Sequence, residues 1–357
     1  MSEYKQKIEN DIFTKIEEKL GTLPSIASSF IIERYDEGAS GQTVRSYFSH
    51  LTVFFEYLKE NKSKFKNIAI SDIRGEDISN ITQADLDGFS EMLLHEKNTA
   101  TTKHYAVLIN LFLKYAQKHG IFDKNSLPVM NYKGGLHKEK QLSYLTHSEQ
   151  LRVIKSLETG ENLSSRQAKY NSLNRERDLA IMILFITSGI TVSELVGIDI
   201  DDVDFNAHSI TITRTGQVNG YETIYISDRA EQCIRDYLET RDNYHPYDEE
   251  NALFLSRMQR KTDEKTGELV NQPGVRISEQ CVRRIVVKYA DAAVPEKAGK
   301  ITPQSLRASF AKSALNTSSD PALTQSLLGL KNISSVSRYF DAPDDTAAKK
   351  ARNIINL

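Results

Sequence analysis

Arginine and lysine residues are concentrated in one stretch of the chain, residues 276–312, where acidic residues are few. They are Arg276, Arg283, Arg284, Lys288, Lys297, Lys300, Arg307 and Lys312. Both side chains bind phosphate oxygens, and arginine does so with two parallel hydrogen bonds. The stretch therefore indicates a surface for a phosphate-bearing ligand such as a nucleic acid. The alternative is a solvated face without a ligand.

The overall charge does not by itself indicate such a ligand. The 357 residues carry a formal net charge of −2, whereas a dominant nucleic-acid surface usually gives an isoelectric point above about 9. Acidic residues cluster at 199–204, 248–250 and 341–345. The first cluster lacks the ligand spacing of a calcium loop, so we expect it to be structural. We predict neither a metal nor another cofactor.

Composition also restricts the location of the protein. Hydrophobic residues make up 39% and charged residues 26%, which is typical of soluble globular proteins. The apolar runs are too short to span a bilayer, and residues 1–19 are too polar for a secretory signal. We expect a cytoplasmic protein without a membrane partner. Cys233 and Cys281 have neither metal-ligand spacing nor a disulfide framework, and we expect both to be buried small hydrophobes.

Hydrophobic periodicity predicts that the first third of the chain is helical. In residues 43–60 apolar side chains recur at spacings of three and four, which places them on one face of a helix. Two further helices are predicted over residues 83–95, capped by Thr82, and over residues 99–119. Together they predict a small all-helical domain.

The pattern of the remaining residues predicts helices around a small sheet. Residues 160–175 are polar and predict a loop, whereas residues 178–186 are apolar on all sides and predict a buried central helix. The predicted strands are 209–214, 222–226 and 253–255. The other predicted helices are 147–157, 230–241, 279–292, 303–316, 321–328 and 345–355. The predicted fold class is mainly α with a small β-sheet (α+β).

Composition also predicts the domain boundaries. Residues 128–142 contain proline, a Gly-Gly pair and several lysines, which is the composition of a linker. We expect an N-terminal extension over residues 1–19, a helical domain over 20–127 and a second domain over 143–357.

Three ordered motifs lie in the second domain. The first is NRERDLAIMILFITSGITVSELVGIDIDDVDF (174–205), the second is ITPQSLRASFAKSAL (301–315) and the third is LLGLKNISSVSRYF (327–340). They resemble the three boxes of the tyrosine recombinase/phage integrase family, especially its Xer-like members. Those boxes read T-G-x-R-x-S-E-L after a buried helix, T-P-H-x-L-R-H-x-F-A, and L-G-H-x-x-I-x-x-T-x-x-Y. The resemblance covers nearly the whole chain and implies a helical SAM-like core-binding domain followed by a catalytic-like domain.

The resemblance implies a reaction without a metal, in which a tyrosine hydroxyl attacks a DNA phosphate and a 5′-hydroxyl later reverses the link. Two arginines stabilise the phosphate oxygens, and acid–base groups serve the attacking and leaving oxygens. Of the family's residues, Arg307 and Tyr339 are retained, and Arg307 is expected to contact a phosphate. The other family positions are occupied by Thr191 (first arginine), Gln217 (strand-turn lysine), Gln304 and Ala308 (histidines), and Leu330 (histidine or tryptophan).

These replacements predict a loss of chemistry. Removing one such group costs about a hundred- to a thousand-fold in rate, so we expect that the chain is not an enzyme and that Tyr339 is an unactivated phenol. The alternative is a recombinase with a rearranged active site, in which Arg214, Lys331 or Arg338 substitutes for a missing group. Arg214 is the only nearby cation in the predicted hairpin, and we count it among the expected DNA contacts.

The resemblance also implies where DNA is bound. The family's equivalent of helix 279–292 enters the major groove, so Arg283 and Arg284 are expected to contact bases, and Arg276 and Lys288 to contact phosphates. Residues near two helix starts of the helical domain are weaker candidates, because helix capping would explain them equally well. They are Thr43, Arg45, His50, Thr101, Lys103 and His104.

These expectations describe a sequence-specific double-stranded DNA-binding protein, a transcriptional repressor that controls lysogeny of a phage or another mobile element. The alternatives are the recombinase above and an accessory protein that bends DNA or binds a partner recombinase. Residues 346–355 resemble the segment that family members pass to a neighbouring protomer, which predicts a homo-oligomer, with docking inside the same chain as the alternative. A regulatory peptide or protein is a further candidate partner.

Overall fold

The structure, a computed structural model, describes residues 3–97, 99–123, 127–132, 142–214, 220–257, 260–262, 267, 269–271 and 273–339. The chain divides into two units, the N-terminal unit (Glu3–Lys138) and the C-terminal unit (Glu139–Leu357). The division falls within residues 128–142, the stretch expected to be a linker.

The N-terminal unit is built from helices. They are α1 (Glu3–Leu20), α2 (Ser25–Asp36), α3 (Gly41–Asn61), α4 (Gly75–Ile78), α5 (Gln83–Glu96) and α6 (Thr99–Lys118), with a 3-10 turn at Ile70–Asp72. The three predicted helices are confirmed as α3, α5 and α6. Helix α1 was missed, because its sequence is mostly polar and only a narrow apolar stripe, including Ile16 and Leu20, is buried in the core of the unit.

Helix caps and an aromatic core define this unit. The Thr82 hydroxyl accepts a hydrogen bond from the backbone N–H of Asp85, and the Asp85 carboxylate accepts one from the backbone N–H of Thr82, so both ends of this capping box are satisfied. The core contains fully buried phenylalanines, each contributing about 1.5–3 kcal/mol by burial. They include Phe30, Phe54, Phe55, Phe89 and Phe112.

The C-terminal unit surrounds one long buried helix. Its helices are α7 (His147–Thr159), α8 (Ser165–Ser188), α9 (Val192–Val196), α10 (Asp228–Thr240), α11 (Glu279–Ala293), α12 (Pro303–Ser318) and α13 (Pro321–Leu328). Single 3-10 turns occur at Ile200–Asp202, Arg241–Tyr244, Pro295–Lys297 and Ile333–Tyr339. The predicted helices 147–157, 230–241, 279–292, 303–316 and 321–328 are confirmed, and the predicted helix 345–355 lies outside the described residues.

The loop predicted over residues 160–175 is wrong, because α8 already begins at Ser165. Ser164 and Gln167 form a capping box at its start. The buried Asn171 amide donates to the carbonyl of Leu157 at 3.1 Å and accepts from the Tyr289 hydroxyl at 2.7 Å. The polar residues thus belong to an internal hydrogen-bond network, which periodicity cannot distinguish from a loop.

The sheet has three antiparallel strands in the order β1 (Val203–Asp204), β2 (Ser209–Thr213) and β3 (Tyr221–Tyr225). The predicted strands 209–214 and 222–226 are confirmed, but the strand predicted over 253–255 is wrong. That segment is fully buried and makes only isolated bridges, including Leu255 with Arg276. A second hairpin pairs β4 (Arg260–Thr262) with β5 (Leu269–Asn271).

The buried helix predicted over residues 178–186 is confirmed as part of α8, since most side chains of this segment have no solvent exposure. Its one buried acid, Asp178, binds Arg177 and Lys288 and accepts a hydrogen bond from Tyr289. A buried charge requires such partners. Among the described residues, no helix combines the length and the apolar character needed to cross a membrane.

Candidate active site

The three sequence motifs meet at one place in the C-terminal unit. Helix α8 is capped by Gly189, which adopts a left-handed conformation (φ 63°), and a Cβ atom there would lie 2.4 Å from the ring of Phe310 on α12. Glycine is required for both reasons. This close approach seats the second motif against the end of the first, and Leu328 of the third motif also borders Gly189.

Arg307 joins all three motifs. Its side chain is 6% exposed, and it donates from Nη1 to the carbonyl of Gly189 at 2.5 Å and from Nη2 to the carbonyl of Leu328 at 2.6 Å. A guanidinium has five N–H donors. Within the described part of the chain, three donors of Arg307 remain without an acceptor.

Thr191, at the position of the family's first arginine, is a helix cap. Its hydroxyl accepts from the backbone N–H of Glu194 at 3.3 Å, and the Glu194 carboxylate accepts from the backbone N–H of Thr191 at 2.7 Å. The threonine therefore orders the start of α9. It supplies no positive charge to the site.

Arg214 brings a second guanidinium into this region. It donates from Nε to Glu194 Oε1 at 2.8 Å, from Nη2 to Glu194 Oε2 at 3.3 Å and from Nη1 to Glu222 Oε1 at 2.7 Å. Burial raises the pKa of the Glu194 carboxyl, but the hydrogen bonds and charge of Arg214, with a further contribution from Arg307, hold it below its usual value. Sequence reasoning missed both glutamates, although Glu194 occupies the glutamate position of the family's first box.

Tyr339 lies in a small apolar cluster and is only 2% exposed. The buried residues of this cluster include Ala308, Leu328 and Val336, and Leu330 packs against it. The positions that hold histidine or tryptophan in the family thus supply packing around Tyr339.

Three polar or charged candidates lie at the surface, namely Gln304, Lys331 and Arg338. Lys331 directly follows Leu330, and Arg338 directly precedes Tyr339. Gln217, the expected position of the strand-turn lysine, lies outside the described residues.

Helix α11 presents part of the predicted DNA-contacting surface. Arg283 and Arg284 are exposed, and together with Lys288 they line an open groove of about 620 Å³. Arg283 pairs with Glu279 at 2.8 Å, whereas Arg284 makes no hydrogen bond or ion pair with the described part of the chain. Of these residues, Arg284 is therefore the one whose guanidinium is not engaged by the described part of the chain.

Arg276 and Lys288, both predicted to contact phosphates, have partners inside the protein. Arg276 donates to the carbonyls of Val196 and Ile198 at 2.9 and 3.1 Å and pairs with Asp199. Arg276 therefore anchors the acidic turn, and its contact with a DNA phosphate stays a prediction. Lys288 binds the buried Asp178 at 3.1 Å with its ammonium, so its first role is also internal.

Four of the six candidates in the N-terminal unit come together. Thr43, His50, Thr101 and His104 line one open groove between α3 and α6, with a volume of about 680 Å³. The His50 ring stacks on Tyr105 at 3.9 Å, and burial, assisted by the charge of His104, lowers the pKa of His50. The other two, Arg45 and Lys103, are exposed on the same two helices.

Both cysteines are free. Cys233 is buried, as predicted, and burial raises the pKa of its thiol to about 11. Cys281 is only partly buried, which corrects its predicted full burial, and burial raises its pKa as well.

Comparison with known proteins places this site in a family. The phage integrase family model matches residues 144–345. Tyrosine recombinase XerC of Thermodesulfovibrio yellowstonii is 27% identical over 312 residues, covering 86% of this chain and 87% of that protein. Tyrosine recombinase XerS of Streptococcus agalactiae serotype III is 25% identical over 353 residues, covering 87% and 91%.

Solved structures show the same fold. The XerH site-specific recombinase bound to a palindromic difH substrate superposes with a TM-score of 0.63 at 18% identity, covering 89% of this chain and 81% of that chain. The Tn1549 transposon integrase in complex with circular intermediate DNA gives a TM-score of 0.61 at 16% identity, covering 92% and 99%. The predicted fold class is confirmed.

The comparisons correct one prediction and confirm another. The expectation that the chain is not an enzyme is wrong, because the proteins it matches over most of its length are named as recombinases, which are enzymes. The resemblance stated from the three motifs is confirmed by a match to more than half of the chain. The chain belongs to the phage integrase family of tyrosine recombinases.

Proposed function

We propose that this chain is a site-specific tyrosine recombinase that binds a duplex DNA site and cleaves it through Tyr339 with a rearranged active site. The observation that carries the proposal is the position of Arg307, which is bonded to the first and third motifs and keeps three N–H donors. Its relatives XerC and XerS are named recombinases, and its structural neighbours are recombinases with bound DNA.

In the proposed reaction, one ester bond to phosphorus is replaced by another. The Tyr339 oxygen forms a bond to phosphorus and loses its proton to water, while the bond from phosphorus to the 5′-oxygen breaks and the leaving oxygen takes up a proton. Attack by a 5′-hydroxyl reverses these steps and frees Tyr339. Arg307 stabilises the negative charge of the non-bridging oxygens, and the exposed ammonium of Lys331 is the candidate proton donor.

Binding of the DNA site is assigned to two surfaces. Arg283 and Arg284 on α11 are proposed to read base edges in the major groove, and the groove between α3 and α6 is proposed to contact the duplex with hydroxyl and imidazole groups. Strand exchange joins two duplexes, so more than one copy must assemble on DNA. Residues 346–355 stay the proposed contact between copies, outside the described part of the chain.

The test first selects the preferred site from a library of random duplexes. Supercoiled plasmid carrying that site is then incubated with wild-type protein and with Tyr339→Phe, and the products are separated on denaturing gels. We expect a covalent protein–DNA band with the wild type alone and equal site affinity for both proteins. Specific binding without any covalent band would refute the proposal and favour the DNA-binding regulator considered from the sequence.

A further inference from the structure

The rearranged site lacks the first arginine of the family, because Thr191 caps α9. A transferring phosphate has two non-bridging oxygens, and Arg307 alone is one cation for them. The described residues bring one other guanidinium into contact with both the first and the third motif, that of Arg214. Arg214 directly follows the second strand, β2, whereas the missing arginine would stand at the start of α9.

The base of Arg214 is fixed by the hairpin. Its backbone N–H donates to the carbonyl of Gly220 at 2.9 Å, directly after β2. Its side chain is buried, with 4% exposure, and Glu194 accepts two of its hydrogen bonds. Glu194 also binds the backbone of Thr191, so the guanidinium lies one carboxylate away from the position of the missing arginine.

The third motif also makes room for Arg214. Gly329 has a φ of 59°, and a Cβ atom there would lie 2.4 Å from both Cδ and Nη1 of Arg214. The preceding carbonyl, that of Leu328, accepts the hydrogen bond from Arg307. Consecutive residues of one turn therefore border the two arginines.

We propose that Arg214 is the second phosphate-binding arginine of the site and replaces the arginine lost at Thr191. Three of its five N–H donors bind carboxylate oxygens of described residues, which leaves two for the oxygens of a phosphate. Glu194 acts as a positioning residue that fixes the plane of the guanidinium. This inference rests on the proposed recombinase function.

Access for a phosphate requires that one carboxylate give way, since the guanidinium is buried. Glu222 is the exchangeable partner: it holds Arg214 through one oxygen, and its side chain is 21% exposed against 9% for Glu194. It also lies on β3, the edge strand of the sheet. A phosphate carries the same charge and the same acceptor oxygens, so it can take the place of Glu222 beside Arg214.

The test measures covalent complex formation on two substrates that differ in the charge at the cleavage position. Full-length wild type, Arg214→Gln and the surface control Arg229→Gln are incubated with two forms of the selected duplex site. One has a normal phosphate at the cleavage position, and the other has an uncharged methylphosphonate there. Formation of the covalent complex is timed, and thermal unfolding and site affinity of each variant are measured alongside.

On the phosphate, Arg214→Gln is expected to slow covalent complex formation about 100- to 1,000-fold, the usual effect of losing one group that stabilises the transition state. On the methylphosphonate, Arg214→Gln is expected to react less than roughly tenfold more slowly than the wild type, because little charge is left to stabilise. Arg229→Gln should match the wild type on both.

An equal loss of rate on both substrates would overturn the inference, since it would mean that Arg214 acts only through the fold. An unchanged rate on the phosphate would overturn it as well. If Arg214→Gln does not fold, Arg214→Lys replaces it and must show the same substrate dependence, with a smaller loss. If the wild type forms no covalent complex at all, the proposed function fails, and the inference fails with it.

Discussion

Removal of the Arg214 guanidinium should destabilise the C-terminal unit strongly, and the size of the effect follows from burial. Arg214 and Glu194 are 4% and 9% exposed and share two hydrogen bonds. Breaking such a pair from one side leaves a buried charge unpaired, at a cost of about 3–5 kcal/mol. With about 2–4 °C of melting temperature per kcal/mol for a unit of this size, Arg214→Ala should lower the transition by roughly 6–20 °C.

The pH dependence of this loss identifies its cause. Arg214 helps to hold the pKa of Glu194 below its usual value, so the pair contributes stability above the pKa of the unfolded carboxyl and loses it as pH falls through the folded pKa. In Arg214→Ala the buried carboxylate has lost that partner, and its pKa rises. Protonation then relieves the unpaired charge, so the difference in the free energy of unfolding should be smaller at pH 5 than at pH 7.5.

The assay is urea unfolding of the full chain at both pH values, with the transition of the C-terminal unit fitted separately. Arg229→Ala is the matched control, because its pair with Glu158 is about half exposed and should contribute only about 0–1 kcal/mol. The double variant Arg214→Ala, Glu194→Gln should recover part of the loss. A loss below about 1 kcal/mol at pH 7.5, the value typical of an exposed pair, would refute the buried pair described above.

Three other changes have defined outcomes. Arg284→Ala should weaken affinity for the selected site by about 1–3 kcal/mol in fluorescence anisotropy, whereas an unchanged affinity would remove α11 as the recognition helix. Gly329→Ala should slow cleavage and lower the melting temperature, because its Cβ atom meets the Arg214 side chain and its φ is positive; wild-type behaviour would contradict that contact. Cys233 should resist thiol reagents at pH 8 until the protein unfolds, since burial raises its pKa to about 11; rapid labelling of Cys233 in the folded protein would argue against its burial.

Local patterns predicted most elements of the fold, since they report on neighbours in the chain. The cap at Thr82 predicted one helix start correctly. The start of α8 was missed because Asn171 is polar and yet buried, satisfied by partners that are distant in sequence. Periodicity records polarity and not the presence of a hydrogen-bond partner.

The site shows the same limit. The motifs directed attention to Arg307, Tyr339 and Thr191, which the structure places in one region of the C-terminal unit. They could not predict which guanidinium contacts the first motif, because Arg214 reaches Glu194 across 20 residues of sequence. The internal contacts of Arg276 could not be predicted for the same reason, since its carbonyl acceptors lie about 80 residues away. Counting lost groups position by position led to the wrong conclusion that the chain is not an enzyme.

The position of the covalent link to DNA shows whether Tyr339 is the nucleophile. After incubation with the selected duplex, trypsin cleavage following Arg338 and Lys349 releases a peptide that begins with Tyr339, and nuclease digestion leaves the linked nucleotide for mass spectrometry. We expect a nucleotide linked through its 3′-phosphate to Tyr339 in the wild type and none in Tyr339→Phe. An unmodified peptide from fully site-bound protein, or a link on another residue, would contradict it.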